Sequence, residues 1–150
     1  SCSANHALNR LYSAGAVKRR QEGKMYFYSV DISNPAIREF RKLINILLVE
    51  PLMGELKPLA VKIVLYGSCA QGTDTSRSDM DLFIVSDNRE KAMQVIEDFH
   101  FPPGFENIEV QPVIKSPVEL LQTVESQQAF LSEVDQGIVL WERVPDESRL

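Results

Sequence analysis

Two aspartates one residue apart, Asp79 and Asp81, stand at the start of the apolar segment LFIV. Side chains two residues apart on a β-strand point to the same side, so the carboxylates are predicted to converge while Met80 turns away. Like charges so close raise each other's pKa unless a cation lies between them. Magnesium prefers oxygen ligands, commonly one or two carboxylates together with substrate phosphates. The pair therefore predicts a site for Mg²⁺ (or Mn²⁺).

A Gly-Ser turn, Gly67 and Ser68, follows the apolar segment IVLY upstream of the aspartates. Glycine lets the backbone turn sharply, and a short helix is predicted from Ser68 through Gln71. Exposed N–H groups and a hydroxyl at such a turn can hold phosphate. The glycine spacing excludes a dinucleotide fingerprint, and no Gly-Lys-Ser/Thr follows as in a Walker loop. Phosphate and metal sites together predict nucleoside-triphosphate chemistry.

The stretch LYGSCAQGTDTSRSDMDLFIV, residues 65–85, resembles the signature of the DNA polymerase β-like nucleotidyltransferase superfamily, and within it the minimal nucleotidyltransferases of bacteria and archaea. The matching positions are Gly67, Ser68, Ala70, Gly72, Ser78, Asp79 and Asp81. The resemblance implies that Asp79 and Asp81 are catalytic and bind the metal. The nucleotide-binding candidates are Gly67, Ser68, Arg77 and Ser78. Alternatives are a surface aspartate pair in a loop and, for Arg77, an exposed loop arginine.

The resemblance also implies a third carboxylate on a neighbouring strand, acting as general base toward an acceptor hydroxyl. In the segment NIEVQPVIKSP that position is Gln111, whose neutral amide cannot take a proton. Glu109 lies two residues earlier and shares the face of Gln111 if the strand is regular. Glu109 is therefore a catalytic candidate, and an exposed strand glutamate is the alternative.

Residues 2–48 resemble the second half of a winged helix-turn-helix domain of the kind found in small prokaryotic repressors. The resemblance implies that α-helical residues enter the DNA major groove and that a basic wing meets phosphate. The implied DNA-binding residues are Ser3, Asn5, His6, Asn9, Arg10, Arg19, Arg20 and Lys24. A helix and hairpin used only for packing or dimerisation is the alternative. Since earlier helices of the motif are missing from this sequence, a partner subunit or further residues are expected to complete it.

Charge differs between the two ends of the chain, whose net charge is −5. Residues 1–24 hold five basic side chains and one acidic one, whereas residues 51–150 hold 8 basic and 17 acidic ones. Different partners for the two ends, or merely solvated faces, would explain this asymmetry. The lack of an apolar run long enough to cross a bilayer, and of a leader, predicts a cytoplasmic protein without a membrane partner. Two distant cysteines predict no disulfide, and the missing initiator Met predicts a trimmed N-terminus.

Hydrophobic periodicity predicts an N-terminal helix over 3–14, a basic hairpin, and a long helix beginning at Pro35. The buried stripe predicted for the long helix is Ile37, Phe40, Leu43, Ile44, Leu47 and Leu48. Later segments predict strands at 60–67, 80–86, 105–114 and 137–142, and helices at 88–101 and 116–134. The predicted class is α/β (α+β), a small mixed sheet with flanking helices behind a partial winged helix. Predicted domains are 1–50 and 55–150.

Together these features predict a nucleotidyltransferase that moves a nucleoside monophosphate from NTP to a hydroxyl, fused to a module for duplex DNA. The alternative is a transcriptional regulator whose nucleotidyltransferase-like domain binds nucleotide without catalysis. The short chain has no separate acceptor domain, so a partner protein or a homodimer is expected to complete the acceptor site.

Overall fold

The computed structural model describes residues 2–75, 78–122 and 127–144, and shows a mixed α/β architecture with two small sheets. The helices are α1 (Cys2–Ser13), α2 (Pro35–Leu56), α3 (Gly67–Gln71), α4 (Arg89–Asp98), α5 (Pro117–Leu121) and α6 (Gln128–Asp135). The strands are β1 (Val17–Glu22), β2 (Met25–Val30), β3 (Lys62–Tyr66), β4 (Met80–Val85), β5 (Val110–Lys115) and β6 (Ile138–Glu142). The predicted α/β class, a small mixed sheet with flanking helices, is confirmed, while the partial winged helix stays a prediction.

A helix and an antiparallel hairpin form the N-terminal part. Helix α1 ends at Ser13, and Gly15 just beyond it has a φ of +72°, which reverses the chain. Strands β1 and β2 then pair antiparallel across a turn at Gly23, which also has a positive φ. These elements follow the predicted order of helix and hairpin.

Helix α2 differs from its prediction in which side chains it buries. It begins as expected, with the Asn34 side chain accepting from the Ala36 N–H at 2.9 Å. The predicted stripe is wrong at three positions, since Phe40, Leu43 and Leu47 are 50–59% exposed. Only the second half of α2 lies against the larger sheet, because that is where its fully buried residues lie. They are Val49, Leu52, Met53 and Leu56.

The larger sheet has four strands in the order β5-β4-β3-β6. Strand β3 pairs antiparallel with β4 and β6, while β5 runs parallel to β4. One face packs against α2 and α4, and the opposite face packs against α5 and α6. Each strand therefore sends alternate side chains into two cores.

Predicted elements in the second half of the chain have different bounds in the structure. The third strand of the second half begins only at Val110, because residues before it form turns. The helix predicted over 116–134 is interrupted: α5 ends at Leu121 and α6 starts at Gln128, with 123–126 outside the described residues. Helix α2 runs without a break through residues 50–55, so the domain limits stay a prediction. None of the described helices is both long and apolar enough to cross a membrane.

Candidate functional site

Asp81 lies in the middle of the sheet, between its two neighbouring strands. It stands opposite Tyr66 of β3 and Gln111 of β5. Met80 is fully buried in the core against α2 and α4, so Asp81 points to the opposite face, as strand alternation predicts. Asp81 is half-buried, while Asp79, just before β4, is exposed. The two carboxylates thus flank a buried methionine that fixes the start of the strand.

Negative charge accumulates on this face of the sheet. Burial raises the pKa of Asp81 above its usual value, and the charges of Asp79 and Glu133 raise it further. Burial raises the pKa of Tyr66 as well, with contributions from Asp81 and Glu133. A cation bound at the aspartate pair would relieve this repulsion.

The donor set at the pair fits a hard divalent cation that keeps other ligands. Over residues 2–75, 78–122 and 127–144, no group of three His, Cys, Asp or Glu side chains could hold a metal ion. Two carboxylates leave most of an octahedral shell to water and phosphate oxygens, which is how Mg²⁺ is commonly bound beside nucleotides. Asp79 and Asp81 are the residues that would hold it.

The Gly-Ser turn packs directly against Asp81, the second carboxylate of the pair. Gly67 has a φ of +69°, and a Cβ at this position would stand 2.5 Å from Asp81 Oδ2. Helix α3 follows at once, and the Ser68 carbonyl accepts from the N–H groups of Gly72 and Thr73. The sequence prediction of a short helix through Gln71 is confirmed, one residue earlier than expected. The turn and the aspartates therefore share one small region at the ends of β3 and β4.

Ser78 forms a local turn immediately before the aspartates. Its Oγ accepts from the Thr75 N–H at 2.9 Å, and its N–H donates to the Thr75 carbonyl at 3.0 Å. Ser78 is half-buried and lies next to Asp79. The other nucleotide-binding candidate in this segment, Arg77, lies outside the described residues.

The position where the sequence resemblance implies a third carboxylate holds an amide. Gln111 stands directly beside Asp81 in the parallel register of β4 and β5. Glu109 precedes β5, is exposed, and accepts the Met80 N–H through its backbone carbonyl at 2.8 Å. It also lines a cavity of about 460 Å³ between α4 and β5, together with Ile96. Glu109 therefore adjoins Met80 and the aspartates through its backbone. Because β5 begins only at Val110, Glu109 lies outside the regular strand, and it borders the α4 side of the sheet rather than the face to which Asp81 points.

Three residues behind the turn were missed by sequence reasoning. Asp74 accepts from both Arg41 and Asn45 of α2, and Asn45 also donates to the Cys69 carbonyl. A polar Asn45 inside the apolar run LINILLV was the available signal, since a buried amide needs partners. Asp74 carried no signal beyond lying inside the motif.

Six of the eight N-terminal candidates border two concavities on α1 and the hairpin. Four of them border one concavity beside Tyr26 and Tyr28: Asn5, Asn9, Arg19 and Lys24. A second concavity is bordered by His6, Asn9, Arg10, Ser13 and Ala14. Ser3 is exposed on α1. Arg20 borders neither concavity and pairs with Glu22 at 2.9 Å.

A family model described as Polymerase beta, Nucleotidyltransferase matches residues 55–146, which include the turn, the aspartate pair and the whole four-stranded sheet. The chain belongs to this nucleotidyltransferase family. A solved structure from Sulfolobus solfataricus, of a "putative nucleotidyltransferase", aligns with a TM-score of 0.45 and 16% identity, over 75% of this chain and 94% of that chain. No curated protein matches the chain.

Proposed function

We propose that the chain transfers a nucleoside monophosphate from an NTP to a hydroxyl acceptor in a reaction that depends on Mg²⁺ (or Mn²⁺). The observation that carries the proposal is the contact of the Gly67 turn with the Asp81 carboxylate inside a nucleotidyltransferase family domain. In the reaction the acceptor oxygen bonds to the α-phosphorus, the bond to the β-phosphate oxygen breaks, and pyrophosphate leaves. The bound cation would neutralise phosphate charge during this transfer.

Each site residue has a distinct part in this proposal. Gly67 and Ser68 hold the triphosphate, with Ser78 and Arg77 nearby in the chain. Asp79 and Asp81 hold the cation by their carboxylates. Glu109 is the candidate that takes the acceptor proton, because the amide of Gln111 cannot.

Incubation with α-labelled NTPs, Mg²⁺ and a cell lysate tests the transferase. Label transfer to an acceptor is expected with the wild type and is expected to disappear in Asp79→Asn and Asp81→Asn. Asp87→Asn is the matched control, because Asp87 is exposed at the far end of β4 and should transfer label normally. Transfer that persists in both active-site variants would overturn the roles given to the two aspartates.

A second candidate function is nucleotide sensing without turnover. Gln111, in register with Asp81 where a third acid would serve as base, is the observation that favours it. Saturable NTP binding by calorimetry, with no label transfer to any acceptor in the lysate, would support the sensor and exclude the transferase under those conditions.

The sensor would act through the N-terminal unit on duplex DNA. Support comes from the excess of basic residues in 1–24 and from the concavity shared by α1 and the hairpin. A salt-dependent shift of duplex DNA, weakened by Arg10→Ala, would support this module. Retention of full DNA affinity in Arg10→Ala and Lys24→Ala together would count against it.

A further inference from the structure

A partly buried ion pair joins α2 to the segment that follows the Gly-Ser turn. Arg41 Nη2 lies 2.8 Å from Asp74 Oδ2 and also donates to the Asp74 backbone carbonyl. The side chain of Asp74 is only 12% exposed and that of Arg41 is 26% exposed. Exposed ion pairs contribute little, but a buried carboxylate that loses its partners is costly. We name Arg41, Asn45 and Asp74 the Asp74 bracket.

Asn45 gives the bracket a second attachment to the same segment. Its Nδ2 donates to Asp74 Oδ1 and to the Cys69 carbonyl, both at 3.0 Å. Asn45 is 5% exposed, so each bond is made away from water. One buried amide therefore fastens the segment at two points five residues apart.

The turn between those two points lies against the backbone of α2. Gly72 has a φ of +70°, and a Cβ there would collide with the Arg38 carbonyl. Glycine is required by both the backbone conformation and this close approach. Helix α2 thus contacts the segment by side chains and by main chain.

The same segment is tied to the aspartate pair. Cys69 Sγ donates to the Asp79 backbone carbonyl at 3.3 Å. Fixing Cys69 and Asp74 therefore fixes the Gly67–Ser68 turn relative to Asp79.

We propose that Arg41 and Asn45 are positioning residues, which act through Asp74 to hold the Gly67–Ser68 turn at the separation from Asp79 that a metal–nucleotide complex needs. This role rests on the proposed function, which supplies the metal–nucleotide ligand. Arg41 and Asn45 themselves are not proposed to contact the metal or the phosphates. Such supporting partners typically change affinity about 10- to 100-fold when removed.

Asp74→Ala removes the carboxylate of the bracket. Its matched control is Lys42→Ala, which deletes an exposed ion pair with Glu39 on the same helix. In Asp74→Ala, the affinity for MgATP is expected to fall about 10- to 100-fold by calorimetry. Amide hydrogen exchange is expected to accelerate in residues 67–75 and to stay unchanged in β3 and β4. Lys42→Ala should change neither.

Asn45→Ala is the second variant, because it removes two hydrogen bonds without leaving Arg41 unpaired. If Asp74→Ala does not fold, Asn45→Ala alone tests the positioning role. Wild-type affinity and wild-type exchange in 67–75, in a variant that folds, would overturn the proposal. Exchange that accelerates throughout the protein would also overturn it, since the bracket would then be merely structural.

The two proposals fail in different ways. A wild-type protein that binds no NTP contradicts the proposed function, while exchange in 67–75 still reports whether the bracket fixes the turn. A wild-type protein that binds NTP, with variants that bind equally well, contradicts only the positioning role.

Discussion

Gly67 and Asp81 are in such close contact that only a hydrogen fits between the glycine Cα and the carboxylate. A Cβ on Gly67 would stand 2.5 Å from Asp81 Oδ2, and the φ of Gly67 is +69°. The Gly67–Ser68 turn and Asp81 are therefore neighbours by contact, although 14 positions separate Gly67 from Asp81 in the chain. Backbone conformation and steric room impose glycine here independently.

Gly67→Ala is expected to lose nucleotide binding and to destabilise the fold. The left-handed backbone alone costs about 1 kcal/mol for alanine, and the collision with Asp81 adds to it. Gly23→Ala is the matched control, because Gly23 has a φ of +60° with nothing within 4 Å of its Cβ position. Thermal unfolding and MgATP calorimetry measure both effects. If Gly67→Ala and the wild type bind MgATP with equal affinity, the contact between Gly67 and Asp81 is not needed for nucleotide binding.

Local spacing made the geometry at the centre of the candidate site predictable. Strand alternation predicts that the side chains of Asp81 and Met80 point to opposite faces of the sheet. A glycine directly after a strand predicts a turn. Each inference uses only a few neighbouring residues. In the structure Gln111 lies beside Asp81, and Gln111 is the position at which the sequence resemblance implies a third carboxylate. These inferences needed no knowledge of distant contacts.

Long-range packing was the part that the sequence could not provide. Arg41 meets Asp74 across 33 positions, and no periodicity encodes such a pair. Phe40 and Leu43 have the spacing of a buried stripe, yet the sheet does not extend beneath that half of α2. Periodicity reports that a face is apolar, whereas burial depends on which element covers it.

Asp81→Asn is expected to stabilise the metal-free protein at neutral pH. Burial and the charge of Asp79 raise the pKa of Asp81 in the folded state, so ionisation of Asp81 opposes folding. This penalty is present above the raised pKa and disappears as the pH falls through it to the unfolded value. Urea unfolding in a chelator, from neutral pH down to about pH 4, should show the two proteins converge in stability at the acidic end.

Asp87→Asn serves as the control for that comparison, since Asp87 is exposed at the other end of β4. It should follow the wild type across the pH range. If Asp81→Asn is less stable than the wild type at neutral pH, the Asp81 carboxylate makes contacts whose stabilisation exceeds the cost of burying its charge.

Glu109→Gln is expected to slow nucleotidyl transfer by about 100-fold or more while leaving MgATP affinity unchanged. A general base contributes about 10²- to 10⁴-fold, and glutamine keeps the size of the side chain but cannot accept a proton. Glu106→Gln is the matched control, because Glu106 borders the same cavity and caps the Gly104 N–H. Unchanged transfer in Glu109→Gln, in steady-state assays with the lysate acceptor, would remove Glu109 from the reaction.

Arg19→Lys is expected to loosen the N-terminal unit while keeping its charge. The Arg19 guanidinium lies 4.1 Å from the ring centroid of Tyr12 and 4.5 Å from that of Tyr26, and it donates to Asn9 Oδ1 at 3.3 Å. It thereby joins α1 to the hairpin. An ammonium group cannot reproduce this planar stacking, and each exposed cation–π contact contributes about 0.5–1 kcal/mol.

Lys24→Ala tests DNA contact independently of the structural role of Arg19. Lys24 borders the same concavity at the hairpin turn, so its loss should weaken duplex DNA binding and reduce the slope of log affinity against log salt by about one. Arg19→Lys should instead accelerate amide exchange in residues 2–30 and change that slope little. Fluorescence anisotropy at several salt concentrations, together with exchange, measures both. An Arg19→Lys variant with wild-type exchange would show that the two tyrosines do not depend on the guanidinium to hold α1 against the hairpin.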